Sequence, residues 1–129
     1  MADAIYPKFK EACLDGTGID LTTSTVKIAL VRTSAYTYSS THEFLSSVTS
    51  VATTDALTGK SVTNGVFDAT GGGVATSVAA GADIDAIIYF IDTGSAATSR
   101  LIAYKDSFTA VTPDGNNITV ANGGAGFTL

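Results

Sequence analysis

Thr25-Val26-Lys27-Ile28-Ala29-Leu30-Val31-Arg32 decides how the rest of the chain reads. Half of these residues are β-branched and none is Gly or Pro, a content that suits a pleated strand. Successive side chains of a strand point to opposite faces, so Val26, Ile28 and Leu30 share one face and Lys27, Ala29 and Val31 the other. The first of these is a core face.

Toward the C-terminus, strand and turn signals recur about every ten residues from Leu57 on, the spacing of a sandwich or barrel rather than of βαβ units. Segments 57–63 and 66–69 flank Asn64-Gly65, whose tolerance of positive φ predicts a tight hairpin with a type I′ turn. Gly71-Gly72-Gly73 precedes a weak strand over 74–78. The continuous apolar run predicts a central strand over 84–92, and 99–106 (SRLIAYKD) pairs with it across Thr93-Gly94-Ser95-Ala96-Ala97. Segment 110–112, the Pro113-Asp114-Gly115 turn, 118–121 and 126–129 complete the set. The reading is mainly β: a single β-sandwich or barrel of about seven to nine strands, one domain over 1–129, without internal repeat or linker.

Toward the N-terminus, 6–14 predicts one short helix. Pro7 suits the first turn, where its missing N–H has no helical partner, and Gly16 suits the left-handed stop. Ile5, Tyr6, Phe9, Cys13 and Leu14 fall near helical spacing, so this helix is expected to lie over one end of the core with Cys13 as a buried thiol. Ser40-Thr41-His42-Glu43 matches a capping box and predicts a helical turn over 41–48. Segment 46–54, small and polar, reads as a loop. The expected core holds Phe9, Val26, Ile28, Leu30, Ile87, Tyr89, Leu101 and Ala103. Residues 69–82 are poor in large side chains.

Composition narrows function. Ala, Gly, Ser and Thr supply 64 of 129 residues, against one His, one Cys, two Glu and no Trp. Net charge is −5 and only 15% of residues are charged, below the usual ~25%. Much of the exterior is therefore uncharged Thr, Ser, Ala and Gly, which reads either as an ordinary β-surface or as a contact surface with little charge to desolvate. Lys and Arg form no cluster, so binding of nucleic acid is not expected. No apolar run approaches the roughly 20 residues of a membrane helix, and the N-terminus reads as no export signal. A soluble chain made in a cytoplasm is the expectation.

Catalysis has little to draw on. His42 is the sole imidazole for a Ser/His/Asp or Cys13/His42 arrangement, and it reads as a helix-start residue. One His and one Cys fall short of a zinc site. Asp83 and Asp85 share a strand face, and Asp114, Asn116 and Asn117 offer oxygens in a turn, but neither matches a calcium-loop spacing. The triple glycine lacks the Lys-Ser/Thr of a phosphate loop. Asn117-Ile118-Thr119 is formally a glycosylation sequon, which without an export signal reads as coincidence. Expectation therefore assigns no catalytic, cofactor-binding or metal residue and no cofactor. Tyr36, Tyr38 and Phe44 are the only clustered aromatics that a glycan-binding surface would use, and they read first as core or interface packing.

The opening ADAIYPKFKEACLDGTGIDLTTSTVKIALV, then Tyr36, Tyr38, Asp92-Thr93-Gly94, Ala97-Thr98-Ser99, Leu101-Ile102-Ala103-Tyr104 and Val111-Thr112-Pro113 running into Ile118-Thr119-Val120, resembles a family of small structural proteins encoded among the virion genes of tailed bacteriophages. The ending VANGGAGFTL departs from that pattern, which closes on a Trp-containing strand. The resemblance implies a structural virion protein, first of all a capsid decoration or cement protein that holds the major capsid protein lattice and is a homo-oligomer on the particle. It implies partners among virion subunits, with no nucleic acid and no membrane. A tail tube, completion or baseplate protein, stacking through a hairpin over 66–78, is the second reading. A module for host-surface glycans or receptors is the third. On a particle, residues 1–9 and the Gly-rich stretches are expected to order against neighbours.

Overall fold

A computed structural model describes residues 3–16, 18–106 and 110–120 in full, and 125–128 as backbone. Its centre is an antiparallel pair, β2 (Val26–Val31) with β7 (Ala86–Ile91), registered from Val26↔Ile91 to Val31↔Ala86. β8 (Leu101–Lys105) flanks β7, with a bulge between Tyr89 and Phe90. β1 (Ala4–Ile5) pairs with the outer side of β8, and β3 (Ala52–Thr53) with the outer side of β2. The five-stranded order is thus β1-β8-β7-β2-β3. The predicted central strand occupies the middle, and all eight expected core residues are buried.

Both faces of this sheet are covered. Ala29 and Val31, on the face opposite Leu30, are as fully buried as Val26, as expected when a central strand is packed on two sides. Lys27 on that face reaches Asp92 at 2.7 Å. The helix α1 (Pro7–Leu14) and a group of tyrosines cover it.

The other face is covered by the chain curling over itself. Val51, Thr54 and Leu57 donate backbone N–H groups to Leu30, Ile28 and Val26, so 51–57 runs along β2 as an edge. Thr58 then bridges Gly71, and the Asp55 N–H bonds the Val74 carbonyl. β6 (Val74–Ala75) pairs in turn with β9 (Ile118–Thr119), which lies over Leu30 and Tyr89 across a cavity. The ribbon does not close, so the barrel alternative is not realised; the architecture is a mainly β, open, layered one with a short N-terminal helix. A third sheet, β10-β5-β4, joins β4 (Ser61–Thr63), β5 (Val66–Asp68) and β10 (Ala125–Thr128). Its hairpin turns at Asn64 (φ 52°) and Gly65 (φ 77°), the two positive values that a type I′ turn requires. No helix among the described residues is long and apolar enough to cross a membrane.

Five expectations change. Segment 66–78 is not a hairpin, because β5 pairs with β4 and β10 while β6 pairs with β9. Segment 46–54 is not all loop: Ala52 and Thr53 form β3, paired with the edge of β2. The helical turn over 41–48 shrinks to a 3-10 turn at Leu45–Ser47. Phe44 is extended and bridges Arg100, the Glu43 carbonyl accepts the Leu101 N–H, and the Glu43 carboxylate lies 3.5 Å from Arg100 Nη1. Tertiary partners thus take the groups that a capping box would use.

Cys13 is exposed, not buried, and Leu14 is 88% exposed. The helix buries Phe9 and Ala12 and then runs clear of the sheet, so its last turn faces solvent. Finally, the start of the chain is ordered without any neighbour: β1 pairs with β8, the Tyr6 N–H bonds the Ile102 carbonyl, and Phe9 is buried. Residues 1 and 2 lie outside the described residues.

Candidate functional site

The sequence-named aromatic and imidazole groups converge at one end of α1. A turn after β2, in which the Ala35 and Tyr36 N–H groups bond the Arg32 carbonyl, folds Tyr36 back against the sheet. Tyr6, at the helix start, meets it there: the two hydroxyls are 2.7 Å apart, and Tyr36 Oη is 2.8 Å from His42 Nδ1. Ring centroids lie 5.0 Å apart for Tyr6 and Tyr38, 5.5 Å for Tyr38 and Tyr104, and 6.3 Å for Tyr36 and Tyr104. These are the spacings of tilted aromatic packing. Thr33, Thr37, Asp85 and Asp106 border a shallow groove of about 340 Å³ beside Tyr36, Tyr38 and Tyr104.

The electrostatics of this cluster hold protons in place. Burial pushes the phenols of Tyr6, Tyr36 and Tyr38 above their ordinary value. Tyr104 is raised to about 12, first by burial and then by the Asp106 carboxylate. A phenol recruited as nucleophile or general base needs the opposite shift. Tyr36 is 4% exposed, so its contact with His42 is a buried hydrogen-bonded chain that fixes the 32–42 loop. The three aromatics named for a glycan-binding surface are placed differently, with Tyr38 half-buried beside the groove. Tyr36 and Tyr104 are spent in packing, and Phe44 sits apart, beneath the Arg100 guanidinium at 5.1 Å.

The other sequence-named groups do not come together. Asp85 accepts from the Thr33 N–H (2.8 Å) and hydroxyl (2.6 Å), and these bonds hold its carboxyl below the ordinary value. Asp83 accepts instead from the Thr112 hydroxyl at 2.5 Å. Asp114 accepts the Asn116 N–H at 3.1 Å, as a turn-closing aspartate does, and the Asn117 amide oxygen accepts the Ser77 N–H at 2.9 Å. No group of three or more His, Cys, Asp or Glu among the described residues is placed to hold a metal ion. Cys13 is exposed as a residue, yet partial desolvation raises its thiol, and Arg100 lowers it by less.

Two features escape sequence reasoning. One is the edge of β4, where Ser61, Val62 and Thr63 are all exposed and no described strand pairs with the outer side. Across a two-residue turn Thr63 and Val66 form the hydrogen-bonded pair, so alternation turns the N–H and C=O of Val62 outward. Val62 is 51% exposed. The Asn-Gly signal marks this hairpin in the sequence, but nothing marks which of its edges stays free.

The other feature is a cavity of about 330 Å³ between the five-stranded sheet and β9. Leu30, Ile84, Ile87 and Tyr89 line one side, Ile118, Thr119 and Val120 the other, and Asp3, Lys105 and the part-exposed Val111 stand at its mouth. Its lining residues are spread over more than a hundred positions of sequence, which is why no local pattern reveals it.

Comparison of the chain with family models, with curated proteins and with solved structures finds no match in any of the three.

Proposed function

We propose that this chain is a structural protein of a tailed-phage virion, a decoration or cement subunit made in the host bacterial cytoplasm and attached in many copies to the outside of the major capsid protein lattice. The reading rests on the sequence resemblance, and the observation that carries it furthest is the free, uncharged edge of β4 on its projecting hairpin. An exposed strand edge offers backbone donors and acceptors to a neighbouring chain. Ser61, Val62 and Thr63 add contact without a charge to desolvate. Repetition over a lattice lets each such contact be weak, since multivalency supplies the affinity. The tail reading called for a long hairpin over 66–78, and the strands β4 and β5 of three residues each offer a shorter one.

The experiment is a reconstruction of particles of the phage that encodes the chain, with copies counted. Hundreds of copies on the capsid surface are expected. A handful at the tail, or absence from washed particles, would sink the proposal. Attachment through uncharged groups should also survive moderate salt, because screening has little to weaken. Val62→Pro, which removes one outward N–H from an edge that tolerates proline, should lower occupancy without unfolding the protein. Unchanged occupancy would remove β4 from the interface.

A further inference from the structure

We propose that the cavity beneath β9 is a binding site for a small amphipathic monocarboxylate, its apolar tail enclosed between the two layers and its carboxylate on Lys105. Packed protein interiors leave few voids larger than a water molecule. This one, at about 330 Å³, has the room of roughly eleven waters at ~30 Å³ each. It falls at the lower end of the range of small-molecule pockets, roughly 300–1,000 Å³. Most of its lining is aliphatic: Leu30, Ile84, Ile87, Val111, Ile118 and Val120 give water nothing to bond, and Tyr89 and Thr119 are the uncharged polar members. A guest that fills this space must therefore be largely apolar.

The mouth sets the sign of the polar end. Lys105 continues β8 onto the cavity side of the sheet, opposite Ile87, and its ammonium stands 5.8 Å from the centroid of the Tyr89 ring. Among the described residues no carboxylate lies within 4 Å of it. A half-buried ammonium whose neighbour is an aromatic face gains a charge-assisted hydrogen bond from an incoming carboxylate. Asp3 stands at the same mouth but is engaged, its Oδ1 accepting the Asp106 N–H at 2.9 Å. Lys105 is thus the group left to meet a guest, and Asp3 opposes an anion by like charge. Val111, 39% exposed, is the apolar group at the opening.

The chemical class follows: one anionic head on an unbranched or ring-shaped apolar body, about ten non-hydrogen atoms in all, packed at interior density. Octanoate is the probe. Titrating the full chain with octanoate, octanol and octyltrimethylammonium, followed by amide chemical shifts of Ile84, Ile87, Val111 and Ile118, reads both site and charge preference. Saturable binding of octanoate is expected, about tenfold tighter than octanol, with the cation weakest. Lys105→Met should bring octanoate down to the level of octanol while leaving octanol unchanged. Asp3→Asn should tighten octanoate. Val111→Phe, at the exposed rim, should weaken octanoate and octanol alike. The proposal is overturned if octanoate gives no saturable shift, if the cation binds as well as the anion, or if Lys105→Met keeps the tenfold preference. None of these outcomes bears on attachment to a particle, so the two proposals stand or fall separately.

Discussion

Replacing Tyr36 with Phe should destabilise the protein by more than the loss of one hydrogen bond, and the structure gives the reason. Tyr36 Oη is the only hydrogen-bond partner of the Tyr6 hydroxyl among the described residues, and Tyr6 has no exposed surface. In Tyr36→Phe that hydroxyl stays buried with nothing to bond, which costs about 1–3 kcal/mol. His42, half-buried, can turn to water, so its loss adds little. Tyr6→Phe differs: Tyr36 keeps His42, and the cost is one ordinary bond, about 0.5–1.5 kcal/mol. The double variant leaves no orphaned hydroxyl, so adding Tyr6→Phe to Tyr36→Phe should restore stability rather than remove more. A coupling of about 1–2 kcal/mol is expected from this cycle. Urea unfolding of the four proteins, followed by far-UV circular dichroism with slopes compared, measures it. Tyr36→Phe within about 0.5 kcal/mol of the parent, or a double variant at the sum of the singles, would refute the reasoning.

Other outcomes follow from the same coordinates. Gly72→Ala should unfold the chain or lower its melting temperature sharply, since Gly72 sits at φ +81° and a Cβ there would lie 2.2 Å from the Ala56 carbonyl oxygen and 2.8 Å from Leu57 Cα, both backbone atoms; a thermal melt like the parent's would contradict the close approach of 56–57 and 72. Leu30→Ala, deleting a side chain 1% exposed on the central sheet, should cost about 2–5 kcal/mol in urea unfolding; under 1 kcal/mol would mean that the layer over Leu30 is not packed. Stability should fall in alkali. All five tyrosines have folded-state values above the ordinary 10.0, so the folded chain holds protons that the unfolded chain gives up. Their contribution is intact below pH 10 and is lost as pH climbs through the folded values, about 12 for Tyr104. Phenolate absorbance should therefore rise together with loss of circular dichroism, whereas gradual ionisation between pH 9 and 10 in a folded protein would count against it.

The elements that were legible in sequence are those whose signal is local. The six residues of β2 announce themselves by β-branching and alternation, β7 by its unbroken apolar run, and the hairpin of β4 and β5 by Asn64-Gly65, two consecutive residues that tolerate positive φ. Pro7 and Gly16 bracket α1 for equally local reasons. The expectations that failed assigned a local group a local partner when a distant one was better placed. Glu43 looks like the closing residue of a capping box, but its carbonyl and carboxylate are taken by Leu101 and Arg100. Ala52 and Thr53 lie in a small, polar stretch without clear period and form a strand where they meet the edge of β2. Cys13 has the right spacing for burial, but spacing says nothing about where a helix leaves its sheet.

By itself, then, the sequence determined the β class, the central strands, the short helix and a supply of side chains rich in packing and poor in ionisable chemistry. Only the tertiary structure decided that 51–58, 71–75 and 118–120 curl over the Leu30 face without closing, that Tyr6, Tyr36 and His42 share one hydrogen-bonded chain, and that Lys105 stands over an apolar cavity. The physical reason is range. Propensity, alternation and turn chemistry act between residues a few positions apart, whereas a cavity, a free edge and a buried hydroxyl's partner are set by segments tens of residues apart competing for the same backbone and the same space.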